Sequence, residues 1–210
     1  MIYLAISDGT RELPIVDSGV SEFISGTRNE SLRRSRSIAY SLLCASLGNL
    51  FPGEKIEIKK EPSGKPFGVR AGGERLHLSI SHTDGLAAVA ISDACPIGVD
   101  VEAEIIGERR ERVEKRFLAN LPSPLVIKSS DAIPCPICYG EGISISEIKE
   151  PATVTDRWVV CEAYLKCDGG GFGSISDIGK IEKDAVCSLW QIEANGRKYS
   201  LAMATAERKK

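Results

Sequence analysis

The chain lacks a long apolar run. No stretch reaches the roughly 18 residues of a membrane-spanning helix, so no membrane span is expected. It also lacks an excess of one charge: 27 Lys and Arg stand against 29 Asp and Glu, a formal net charge of -2. That argues against a strongly basic nucleic-acid binder, although local basic patches remain open. There is no GxxxxGK[ST] phosphate loop. The triple glycine 169–171 follows a helix pattern instead of opening one, so it does not read as a dinucleotide fingerprint. Cys135-Pro136-Ile137-Cys138 is a lone CxxC. Structural zinc needs about four ligands, and the second pair would have to come from Cys161 and Cys167 or from His77 and His82. The N-terminus is apolar for six residues with no basic lead-in, so it reads as a first strand and not as an export leader. A cytoplasmic chain with reduced thiols at its seven cysteines is the expectation.

What is present suffices for a core: 210 residues, 42% hydrophobic and 27% charged. The pattern predicts a strand over 2–6 and then a loop-rich connection. A helix follows over 28–47, with Thr27-Arg28-Asn29-Glu30 as its capping box and Gly48 as its stop. Its apolar side includes Leu32, Leu42, Leu43 and Leu47, and its polar side carries Arg33, Arg34 and Arg36. A strand over 55–60 precedes a loop over 61–73. Alternating strands at 76–82 and 86–91 flank the turn Asp84-Gly85, and another strand covers 98–102. A charged helix spans 105–119, with Val113 and Phe117 inward. A second main helix spans 156–167, and a terminal hairpin turns at Asn195-Gly196. Residues 121–151, with four prolines by residue 136, read as mostly loop.

The fold class expected is α+β. Two similar halves, 1–95 and 96–210, each place a helix on a small, mainly antiparallel sheet and are related by a pseudo-twofold; 121–151 is a loop insertion in the second.

Several residues could carry chemistry. Asp100 and Glu102 are two apart on a strand, so both carboxylates share one face while Val99 and Val101 face the core. Such a pair suits a hard cation such as Mg²⁺, and it equally suits a plain solvated strand face. Trp158, Glu162 and Lys166 share a helix face, where Glu162 and Lys166 form either an ordinary ion pair or part of a site. His82, after Ser81 at a strand end, could donate to a phosphate or be an ordinary half-wet histidine. Lys65 follows Ser63-Gly64 in a turn that holds its stem.

Taken in order, Arg36, Gly64-Lys65-Pro66, Leu78-Ser79-Ile80-Ser81-His82, Pro96-Ile97-Gly98-Val99-Asp100-Val101-Glu102 and Trp158-Val159-Val160-Cys161-Glu162-Ala163-Tyr164-Leu165-Lys166 resemble the 4′-phosphopantetheinyl transferase family. The likeness is to its larger, pseudo-dimeric single-chain type, which activates peptide synthetases. It covers about residues 28–205, with the middle poorly matched.

The resemblance implies transfer of 4′-phosphopantetheine from coenzyme A to a serine of an apo acyl or peptidyl carrier protein, with release of 3′,5′-ADP. It implies Mg²⁺ on Asp100, Glu102 and Glu162, with Glu162, His82 and Lys166 as the catalytic set. Arg36, Lys65, Ser81, His82 and Lys166 would bind coenzyme A, and the chain would act as a monomer. The alternative is a non-catalytic relative that binds coenzyme A or the carrier protein. Two departures stand out: Cys161 replaces the family's usual lysine, and 121–151 is Pro-rich where the family has a Phe-rich acidic stretch. If Cys161 borders the site, a lysine placed there is expected to tighten coenzyme A binding; if Cys161 is buried and inert, the same lysine is expected to destabilise the helix packing.

Overall fold

Apolar residues alternate along most strands, and the two sets they form are buried on opposite faces. In the computed structural model, residues 1–11, 13, 24, 29–121, 125, 127, 130–170, 178 and 184–206 are described. Among these described residues, ten strands form two sheets. The first has the order β2 (Glu57–Lys60), β3 (Pro66–Val69), β4 (Arg75–Thr83), β5 (Leu86–Ser92), β1 (Ile2–Ser7), β7 (Ile137–Tyr139). Its neighbours are antiparallel except for the parallel pair β1–β7. The second is antiparallel throughout, in the order β6 (Ile97–Ala103), β10 (Arg197–Ala206), β9 (Ala185–Ala194), β8 (Ser144–Ile148). Among the described residues there are three α-helices: α1 (Glu30–Leu50), α2 (Gly107–Arg116) and α3 (Val154–Asp168). The class is α+β.

The layers run helix, sheet, sheet, helix. On one face of the first sheet, α1 places Leu42, Leu43 and Leu47 against Tyr3, Leu76, Leu78 and Ile91. On its other face Leu4, Ile6 and Leu86 meet Ile97, Val99, Val101, Trp190 and Leu201 of the second sheet. The far face of the second sheet receives Val159, Val160, Ala163 and Tyr164 of α3. Each fully buried Leu or Ile in these layers contributes about 1.5–3 kcal/mol relative to exposure.

Both tight hairpins form where the turn dipeptides placed them. Asn195 and Gly196 take φ of 52° and 71°, as a primed turn requires, and Gly85 takes 87°. Several boundaries differ from expectation. The cap of α1 is Asn29, whose side chain accepts the Leu32 N–H at 3.2 Å; Thr27 and Arg28 lie outside the described residues. The helix runs through Gly48 to Leu50. Pro52 sets the stop, because a residue before proline is disfavoured in the helical region, and Phe51 sits at φ -131°, ψ 66°. Leu32, assigned to the apolar side, is 38% exposed. The segment 61–73 is not all loop: β3 begins at Pro66, where a missing N–H is tolerated, and Gly68 admits the close side chains of Ile56 and Leu76. Likewise 121–151 supplies β7 to the first sheet and β8 to the second.

Candidate active site between the two sheets

β6 is an edge strand of the second sheet, so its outer N–H groups need partners. The inner face of β4 supplies them with side chains. Ser79 Oγ accepts the Val99 N–H at 3.0 Å, and Ser81 Oγ accepts the Val101 N–H at 3.2 Å. The serines of the alternating segment thus join the two sheets. They also set β6 so that Asp100 and Glu102 point away from Val99 and Val101, which lie in the core between the sheets.

Behind β6 lies α3. Thr153 and Asp156 form a reciprocal capping box at its start, with bonds of 3.0 and 2.9 Å, and Gly169 at φ 88° ends it. Gly98 sets how close the helix comes. A Cβ there would overlap the Ala163 carbonyl oxygen, the Cys167 amide nitrogen and the Lys166 carbonyl carbon. The glycine of Gly98-Val99-Asp100-Val101-Glu102 is therefore the seat of α3, and it brings Glu162 and Lys166 over Asp100.

The resulting cluster is compact. Lys166 Nζ donates to Asp100 Oδ1 at 2.5 Å and lies 3.5 Å from Glu162 Oε2. Ser81 Oγ donates to Asp100 Oδ1 at 2.7 Å and receives Lys166 Nζ at 3.3 Å. Thr83 Oγ1 donates to Glu102 Oε1 at 2.8 Å, and Arg109 donates to Glu102 Oε2. Burial, then the charge of Asp100, pushes the Glu162 carboxyl up to about 7 against the pull of Lys166. Burial also raises Asp100, opposed by Lys166 and Ser81. Lys166 loses basicity to burial, but Asp100 and Glu162 outweigh that loss and hold it protonated. His82 belongs to the opposite face of β4 from Ser81. Burial, then the charges of Arg36 and Lys166, lowers its pKa.

Four of the predicted residues (Ser81, Asp100, Glu162 and Lys166) are thus in one bonded cluster, and Glu102, on the same face of β6 as Asp100, is held separately by Thr83 and Arg109. Lys65 is placed differently. Its ammonium donates to the carbonyls of Ile97 at 3.1 Å, Cys167 at 3.3 Å and Lys166, which closes the C-terminal end of α3. All three of its donors are spent there. Cys161 is fully buried in the core between α3 and the second sheet. It does not border the site, so a lysine at 161 would carry its charge into apolar packing, contrary to the expectation of tighter coenzyme A binding.

Arg109, Thr83 and the seating role of Gly98 were not read from the sequence. Thr83 continues the Ser79–Ser81 alternation and could have been found that way. Arg109 carried no signal, because its approach depends on the path of residues 104–106 and on Gly107 at φ 56°.

Asp100, Glu102 and Glu162 offer carboxylate oxygens from two elements, the donor type a hard divalent cation takes, and Ser81 and Thr83 hold the first two. Among the described residues no three His, Cys, Asp or Glu side chains form a ready metal cage. The carboxylates instead face Lys166 and Arg109. Cys135 and Cys138 are both exposed thiols with no such set around them among the described residues. No helix among the described residues is long and apolar enough to cross a membrane. No known family profile matches the chain, and no curated protein matches it.

Proposed function

We propose that the chain transfers 4′-phosphopantetheine from coenzyme A to a serine of an apo acyl or peptidyl carrier protein, with Mg²⁺, releasing 3′,5′-ADP. One observation carries this reading: Asp100 of β6 meets Lys166 of α3 beneath Ser81, Lys166 also faces Glu162, and Glu102 lies two residues along the same face of β6. The motif order along the sequence supports it. The two helix-on-sheet halves, 1–95 and 96–210, are read as pseudo-twofold relatives with the site at their seam, and the active species as a cytoplasmic monomer.

Asp100, Glu102 and Glu162 would hold the cation, which when bound supplies charge neutralisation at the pyrophosphate. Glu162, with its carboxyl near 7, is suited to take the proton of the carrier serine at neutral pH. The serine oxygen bonds to the β-phosphorus, the bond from that phosphorus to 3′,5′-ADP breaks, and the proton rests on Glu162. Arg36, His82 and Lys166 steady the phosphate oxygens. Burial, Arg36 and Lys166 lower the His82 pKa, and a phosphate bound beside it would oppose that shift.

A second reading is a coenzyme A or carrier-protein binder without catalysis. It is favoured by Lys65 and Cys161, since neither delivers a cation to the cluster. Mass spectrometry of apo carrier proteins incubated with the chain, coenzyme A and Mg²⁺ separates the two. Addition of phosphopantetheine supports transfer. Coenzyme A binding by calorimetry without any addition supports the binder.

A further inference from the structure

Two cations of this chain already sit on the three carboxylates. Lys166 holds Asp100 and Glu162, and Arg109 holds Glu102. Arg109 differs from Lys65 in being half in solvent, with its side chain 52% exposed against 14% for Glu102. It stands in the first turn of α2, just past Gly107. Glu102 does not depend on it, because Thr83 holds the other carboxylate oxygen. Lys166 and Arg109 are the cations paired with these carboxylates, so a divalent cation on the carboxylates would release the Arg109 charge for an anionic ligand such as a pyrophosphate diester.

Resting on the function proposed above, we infer that Arg109 is a pyrophosphate-binding residue, parked on Glu102 until a divalent cation and coenzyme A arrive together. Glu102 would then help hold the cation, and the released guanidinium would bind a pyrophosphate oxygen, for which its planar fork is suited. Arg109 then provides the phosphate contact that Lys65 and Cys161 do not.

The test is calorimetry on the full chain with three probes: Mn²⁺ alone, coenzyme A with Mn²⁺, and dephospho-coenzyme A with Mn²⁺. Arg109→Gln is expected to weaken both coenzyme A forms about tenfold while Mn²⁺ alone binds about threefold more tightly. Arg109→Lys is expected to recover part of the loss. An unchanged affinity for coenzyme A overturns the assignment, and so does a loss confined to the form bearing the 3′-phosphate. Equal weakening of Mn²⁺ alone and of coenzyme A also overturns it, since Arg109 would then only orient Glu102. If the unmodified chain binds neither coenzyme A form, the functional reading itself fails and this inference falls with it.

Discussion

The two long helices rest on their sheets in different ways. In α3, eleven of 15 residues are buried; in α1, six of 21 are, all of them from Ala39 onward. A capping box, Gly98 beneath and Lys65 at its end hold α3 in place. By contrast α1 has one Asn29 contact at its start and an exposed first half that carries Arg33 and Arg34. The seated helix places Glu162 and Lys166 with little freedom, as a reaction centre needs. The solvated helix start keeps Arg33 at the surface, where it pairs with Glu30 one turn away.

The sharpest way to break this contrast is glycine replacement in each half. Gly98→Ala pushes a methyl group into the backbone of α3, with an expected loss of about 3 kcal/mol or more in chemical denaturation. Gly48→Ala adds a methyl group that meets nothing within 4 Å in the helix interior, with an expected gain of about 0.5–1 kcal/mol. Equal effects would end the distinction between a seated and a solvated helix.

Charge burial gives the next largest effect. Cys161→Lys is expected to cost about 3 kcal/mol and to leave coenzyme A affinity no tighter, measured together by thermal unfolding and calorimetry. Leu32→Lys on α1 is expected to stay within about 0.5 kcal/mol. A stable Cys161→Lys protein that binds coenzyme A more tightly would show that position 161 does reach the site.

The pH dependence follows from Glu162. Its folded value, about 7, lies above the ordinary 4.5, so the folded state holds more protons than the unfolded one between these values. Stability from this group is present below about pH 4.5 and falls as pH rises towards 7, by about 2 kcal/mol after discounting for partial solvent access. Glu162→Gln should flatten this slope and raise the melting temperature at pH 8. Unfolding curves of both proteins from pH 5 to 8 test it, and parallel slopes would deny Glu162 its raised value.

The end caps give smaller effects. Lys65→Met removes the cation from the α3 terminus, with an expected loss of about 1–2 kcal/mol. Asn29→Ala on α1 should cost about 0.5–1 kcal/mol. Thermal unfolding ranks the two, and the reverse order would place the tighter end in α1.

Legibility in the sequence followed how local each cause was. Asp84-Gly85 and Asn195-Gly196 fix their turns with two residues, and period two set Asp100 and Glu102 on one face. The cap read at Thr27 lies two residues before Asn29, whose side chain forms the bond. β3, β7 and β8 were hidden because Pro and Gly near them mimic loops and their partners lie far along the chain. Lys65 read as a phosphate ligand because its target, the Lys166 carbonyl, is 101 positions away. Cys161 stood open between the site edge and the core because α3 is buried on nearly every side, so no polar stripe marks which face is outward.

The central claim is that the carboxylates of β6 and α3 serve phosphopantetheine transfer. The most direct measurement is mass spectrometry of apo acyl and peptidyl carrier proteins after incubation with coenzyme A, Mg²⁺ and either the unmodified chain or Glu162→Gln. The account predicts a phosphopantetheine group on the carrier serine with the unmodified chain and none with the variant. No addition to any carrier in the panel, or equal addition by both proteins, would contradict it.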